Sequence, residues 1–273
     1  MKIFRKIFNF YIDCSIHVAL SCFALVQITQ HYFNITKDFP MACFAFFGTI
    51  VGYNFVKYEA LARAKKMAMK YNLKAIAILS FLCLLVVSFY FFQLRRSTQI
   101  ISIVFLILTL LYALPFFPNR KNARNWAGVK IYIVALCWVG VTVVLPVLNA
   151  EIIITSDFFL KCIQRFILLF VLILIFEIID LAKDDPHLKT VPQQIGVKQT
   201  KQLGFLLLAI FFGLNFFSFI IDVKFEYSSF IIAIITALFL AFANEKRSKY
   251  YTSFWTESIP ILWWILLLFL LKL

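Results

Sequence analysis

Glu177, Asp180 and Asp184 stand at i, i+3 and i+7 within the run F-E-I-I-D-L-A-K-D-D-P-H-L-K-T-V-P-Q-Q-I-G, Phe176 to Gly196. On a helix this spacing stacks three carboxylates on one face over two turns. Like charges so placed repel unless a cation lies between them. Two readings answer that need. The face is either the solvated last turn of a helix, or a divalent-metal site, because Mg²⁺ is typically held by one or two carboxylates together with substrate phosphate oxygens and water. Lys189, Thr190, Pro192 and Gly196 follow with a cation, a hydroxyl and turn-forming residues.

The elements that carry these acids lie in a membrane. Of 273 residues, 63% are hydrophobic and 15% charged, whereas a soluble domain has about half and about a quarter. The 27 Lys and Arg against 13 Asp and Glu give a net charge of +14. Apolar runs split those charges into short loops, so anionic membrane lipid is the expected partner and nucleic acid is not. Cys14, Cys22, Cys43, Cys83, Cys137 and Cys162 lie in or beside apolar runs without a C-x-x-C pair. They read as small buried hydrophobes rather than a redox or zinc site. Lys2, Arg5 and Lys6 precede an apolar run that holds Asp13 and His17 and lacks a small-x-small cleavage site. That start reads as a retained span, not a signal peptide.

A bilayer crossing takes about 20 apolar residues, and the sequence offers nine such runs. They are 7–30, 40–56, 73–92, 99–117, 128–148, 158–179, 203–221, 228–243 and 254–272. Pro40 suits the first turn of the second, and Pro115 and Pro118 close the fourth. Nine crossings put 20 Lys and Arg on the N-terminal side and 7 on the other. The positive-inside rule then places the N-terminus in the cytoplasm and the C-terminus outside a cell (inner) membrane. Trp126, Tyr250, Tyr251 and Trp255 fall near span ends, as interfacial anchors do. No short repeat or low-complexity linker divides residues 1–273, so one domain is expected.

Three smaller features carry charge into or beside the spans. Asp13 and His17, at i and i+4, share a helical face as a polar pair of either functional or structural kind. Lys161 and Arg165 repeat that spacing at the other end of the sixth span, where both are expected to snorkel to headgroups. His187 follows Asp184, Asp185 and Pro186 and reads as a solvated loop residue.

The Phe176 to Gly196 run resembles the second aspartate-rich motif of the UbiA superfamily of intramembrane prenyltransferases. That motif runs roughly D-x-x-D-x-x-x-D, a basic loop, then T-L-P-x-x-x-G. Here Glu177 takes the place of the first acid, Asp180 and Asp184 match the next two, and Thr190-Val191-Pro192 with Gly196 matches the tail. The resemblance implies an all-α protein of nine transmembrane helices around a central cavity, with both acidic motifs on one membrane face. It also implies Mg²⁺ at Glu177, Asp180 and Asp184, and diphosphate contacts from Asn54, Lys57, Lys189 and Thr190.

The superfamily's first motif, N-D-x-x-D-x-x-x-D, is not matched in full. Asn54 aligns with its Asn, but Phe55, Tyr58 and Ala62 stand at the three aspartate positions. Glu59 is out of phase with them by about 100° on a helix. Lys57, at i+3 from Asn54, is expected either to snorkel or to stand opposite Asp180 as a cation replacing one metal. The resemblance thus implies a prenyltransferase moving a prenyl chain from a prenyl diphosphate to an acceptor. The alternative is a non-catalytic relative that binds a polyprenyl or anionic lipid as a partner or scaffold subunit.

Overall fold

In a bilayer every backbone amide and carbonyl has to be satisfied within its own segment or a closed barrel. The computed structural model describes residues 2–63, 71–114 and 128–272, and among these the regular structure is helical throughout. Ten helices follow in order: α1 (Lys2–Asp13), α2 (Ile16–Tyr32), α3 (Phe39–Arg63), α4 (Tyr71–Phe91) and α5 (Arg96–Ala113). Then come α6 (Lys130–Asn149), α7 (Ser156–Asp180), α8 (Val191–Gly213), α9 (Val223–Phe242) and α10 (Tyr251–Lys272). Eight of them are long and apolar enough alone to cross a membrane, and the α1/α2 pair supplies a ninth. The chain is an all-α, multi-pass membrane protein. Pro115, Pro118, Trp126 and the end of the fourth run lie outside the described residues.

Two expected spans are corrected. The first does not run on from residue 7: α1 leaves α2 at a 54° bend, and Ser15 at the break has a left-handed φ of 61°. Asp13 and His17 therefore lie on different helices, and they are not a pair. The His17 ring is satisfied instead by Tyr11 Oη at Nδ1 (2.8 Å) and by the Phe254 carbonyl at Nε2 (2.9 Å). The seventh span begins well before residue 203. It starts at Val191 and bends at Gly196, whose φ of 79° only glycine adopts without strain. Its opening turn is thereby held beside the end of α7.

α7 is the buried axis. Leu168, Leu174, Ile175 and Ile178 are fully enclosed, as are Leu25 and Ile28 of α2. Both helices belong to a core that also takes residues from α6, α8, α9 and α10. The outer helices turn their apolar residues to lipid, as Phe81, Leu85 and Phe89 of α4 and Ile100, Ile103 and Leu106 of α5 do. Within α6 the backbone widens to a π-helical turn over Gly140–Val144, and Thr29 of α2 donates to the Thr142 carbonyl there (2.6 Å). The ring tip of Phe105 presses on Gly140, where a Cβ would stand 2.1 Å from it. The four buried and two partly buried cysteines are all free thiols, in keeping with a packing role.

Candidate functional site

α7 ends at Asp180, and a short loop with a 3₁₀ turn at Pro186–Leu188 leads into α8. This loop sits at the lysine-rich end of the bundle. Glu177, in the last turn of α7, is only 3% exposed. Its Oε2 accepts a hydrogen bond from the Val191 amide (3.0 Å), satisfying one of the free N–H groups at the start of α8. The charges acting on it are those of Lys130 and Asp184. Lys130 is brought there by the loop, because the Gly128 amide donates to the Leu188 carbonyl (3.0 Å).

The three acids do not form one face. The helix stops at Asp180, so Asp184 is placed by the loop and not by helical periodicity. Asp180 turns outward to Lys183 (3.3 Å) with its side chain 43% exposed. Asp184 turns inward, and its Oδ2 is buried without a hydrogen-bond partner. Thr190 is buried at the start of α8 in a capping box with Gln193, its hydroxyl facing the Gln193 amide and its own amide donating to Gln193 Oε1 (2.9 Å). Among the described residues no three His, Cys, Asp or Glu side chains converge as a metal-binding group. What is gathered around Glu177 is two carboxylates and one lysine.

Asp185 and His187 form a separate, solvated pair. Asp185 Oδ1 accepts from the His187 amide (2.9 Å) and lies 3.0 Å from its ring Nδ1. The amide bond, the larger cause, and the ring hold the Asp185 carboxyl below its usual range. The turn is therefore intact at neutral pH and loses this support only as the pH falls through that lowered value. His187 itself is exposed, as the sequence suggests.

The first-motif residues face elsewhere. Asn54 is buried between α3 and α4, where Nδ2 donates to Ser80 Oγ (2.9 Å) and Oδ1 has no partner. Lys57 is not opposite Asp180. Its ammonium donates to Ser15 Oγ at the α1/α2 break (3.0 Å), and the carboxylates whose charge it feels are Glu257 and Asp13. The reason is the break itself, which carries the Ser15 side chain to the end of α3. Lys189 holds a left-handed backbone (φ 45°) with its side chain in solvent. The Glu59 side chain lies outside the described residues.

A cavity of about 60 Å³ lies inside the bundle, walled by residues such as Ser21, Tyr53, Trp138, Ile173, Phe176 and Glu257. Trp138 Nε1 donates to Tyr53 Oη across it (2.7 Å). Glu257 is placed by a π-helical turn over Tyr251–Thr256, and Ser21 Oγ donates to its main-chain carbonyl. π-Helical turns inside helices are frequent at functional positions. Phe176 joins this cavity to the acidic loop, being next to Glu177 in the chain. Neither Glu257 nor Lys130 stands in a motif of the sequence. The available signal for Glu257 was an ionisable residue inside the last apolar run; for Lys130 there was none, since only the loop contact brings it to Glu177.

The arrangement of helices matches solved UbiA homologues. The apo structure of a UbiA homolog from Aeropyrum pernix K1 aligns with a TM-score of 0.67 at 13% identity, covering 94% of this chain and 98% of that one. A UbiA homolog from Archaeoglobus fulgidus bound to GPP and Mg²⁺ aligns at 0.65 with 14% identity, covering 97% and 100%. No family model and no curated protein matches the chain by sequence.

Proposed function

We propose that this chain, which has the prenyltransferase-like fold of the UbiA homologues, takes up a prenyl diphosphate at its lysine-rich end and transfers the prenyl chain to an acceptor in the bilayer. The observation that carries this reading is the orphaned Asp184 Oδ2 beside Glu177. Buried polar atoms are rarely left unpaired unless a ligand, ion or water completes them. Two carboxylates fit one Mg²⁺, whose remaining ligands are ordinarily phosphate oxygens and water. Held by Glu177 and Asp184, the ion would supply positive charge against a diphosphate leaving group.

The chain's own residues do the rest. Lys130, and Lys189 from the loop, supply charge that the missing first motif would have held as a second metal. Lys57 donates to Ser15 Oγ and feels the charge of Glu257, away from the acidic loop. Glu257 stands on the wall of the central cavity, where it takes the proton that an acceptor O–H or C–H releases on prenylation. A 60 Å³ cavity holds about four water-sized groups. A prenyl chain therefore enters only as wall side chains move aside.

Isothermal titration of the purified protein with GPP, with and without Mg²⁺, tests uptake directly. Saturable binding that requires Mg²⁺ supports the reading, and absence of binding with intact fold removes it. The non-catalytic alternative is favoured by one observation, the lack of an in-phase acid on α3. It is distinguished by binding of GPP without release of diphosphate.

The lysine-rich end is proposed to face the cytoplasm. A reporter fused after Leu273 should be active outside it, and one inserted between residues 57 and 74 should be active inside. Reversed labelling would overturn the orientation and, with it, the side from which the diphosphate arrives.

A further inference from the structure

Lys161 and Arg165, expected to snorkel from the far end of α7, do not. Both are buried, at 7% and 5% exposed, and hydrogen-bonded inside the bundle. Cations free to meet headgroups lie at the opposite, lysine-rich end, and α1 carries two of them in a pattern of its own.

α1 is a single helix of 12 residues. At about 100° per residue, every apolar side chain from Ile3 to Ile12 falls in one arc of about 200°, while Arg5, Lys6, Asn9 and Asp13 share the remaining sector. A helix divided in this way suits the boundary between water and acyl chains. Its outer half is largely uncovered by protein, with Ile3, Phe4 and Ile7 exposed. Three large apolar side chains within five residues of chain need an apolar neighbour.

The inner half of α1 is fixed to the bundle. Phe8 packs edge-on against Phe254, with ring centroids 5.1 Å apart, and lies 5.8 Å from the Tyr250 ring. Tyr250 Oη donates to Asn9 Oδ1, and Tyr11 reaches His17 across the Ser15 break. These contacts hold the 54° bend, which tips α1 from the direction of α2 toward the membrane surface. The 17 residues of α2 are enough to cross the bilayer without it. Tyr250 stands at the start of α10, where rings of this kind sit in the headgroup layer. Contact with Tyr250 therefore puts α1 at headgroup depth.

Charge selects the lipid. Arg5 and Lys6 are exposed, and among the described residues neither forms an ion pair. The acid of α1, Asp13, lies at its inner end, where its charge acts on Lys57. The Lys249 ammonium stands 5.2 Å over the Tyr250 ring, so the loop before α10 continues the basic surface beside Phe8. We infer that α1 is an interfacial helix that seats Ile3, Phe4 and Ile7 among acyl chains and gathers anionic phospholipid around Arg5, Lys6 and Lys249. A second copy of the chain would bring like charges together on this face, whereas an anionic leaflet neutralises them.

The test uses the full chain reconstituted in vesicles of equal phosphatidylglycerol and phosphatidylcholine. Benzoylphenylalanine replaces Phe4 in one preparation and Lys6 in another, and the adducts formed on irradiation are identified by mass spectrometry. Both positions are exposed, so neither replacement disturbs packing. Acyl-chain adducts should be at least about fivefold more abundant from position 4 than from position 6. Among the position 4 adducts, phosphatidylglycerol should exceed phosphatidylcholine by at least about threefold. Arg5→Gln, Lys6→Gln and Lys249→Gln together should return that ratio to about one. Equal yields from the two positions, a parent ratio equal to the bulk lipid, or a ratio unchanged in the triple variant would overturn the inference. So would a cross-linked dimer from position 4, which would give the apolar face to a second copy of the chain.

Discussion

Asp184→Asn is expected to weaken Mg²⁺-dependent binding of GPP by about a hundredfold, whereas Asp180→Asn changes it by less than about threefold. The asymmetry comes from the tertiary placement of two residues that look equivalent on a helical wheel. Asp184 Oδ2 is buried and without a partner, next to Glu177. Asp180 is a solvated carboxylate paired with Lys183 on an exposed surface, where such pairs contribute little. Calorimetric titration of the parent and both variants at fixed Mg²⁺ reads the difference. Equal losses would restore a three-acid face, and full binding by Asp184→Asn would remove the metal from this loop.

The second large effect is expected at Glu257. Glu257→Gln keeps the shape of the cavity wall and removes the carboxylate, so donor binding should stay within about threefold of the parent. Prenyl transfer should fall by about 10² to 10⁴, the range typical for a positioned acid or base. The readout is diphosphate release against acceptor concentration, together with GPP affinity measured on the same preparation. A variant that turns over as fast as the parent would exclude Glu257 from the proton's path. A parent that binds GPP but releases no diphosphate with any acceptor would retire transfer in favour of lipid binding.

Hydropathy and charge are local properties, and what depends on them was legible in the sequence. The all-α class, the positions of most spans and the segregation of lysines follow from runs of about 20 apolar residues and from where such runs stop. The acidic loop was equally visible, because Glu177, Asp180, Asp184, Thr190, Pro192 and Gly196 keep motif spacing within 20 residues of chain. Gly196 at φ 79° and the Val191 amide on Glu177 show why that spacing matters: the loop must turn α8 back onto the end of α7.

What periodicity could not decide was any feature that depends on a helix ending or on a partner distant in sequence. Helical phase put Asp184 on a face with Asp180, but the helix stops at Asp180, and past that point residues no longer follow a 100° step. The same phase paired Asp13 with His17, but Ser15 breaks the helix between them and His17 bonds to Phe254, 237 positions away. An isolated span makes Lys161 and Arg165 look like headgroup anchors. The bundle instead closes Tyr32, Phe225 and Trp263 over them. Glu257 and Lys130 became visible only through packing, since each meets its charged neighbour across more than 40 residues of chain. The sequence determined that there are helices and where charge enters them. The tertiary structure decided which charges meet, because burial and pairing are set by contacts between helices that no local pattern encodes.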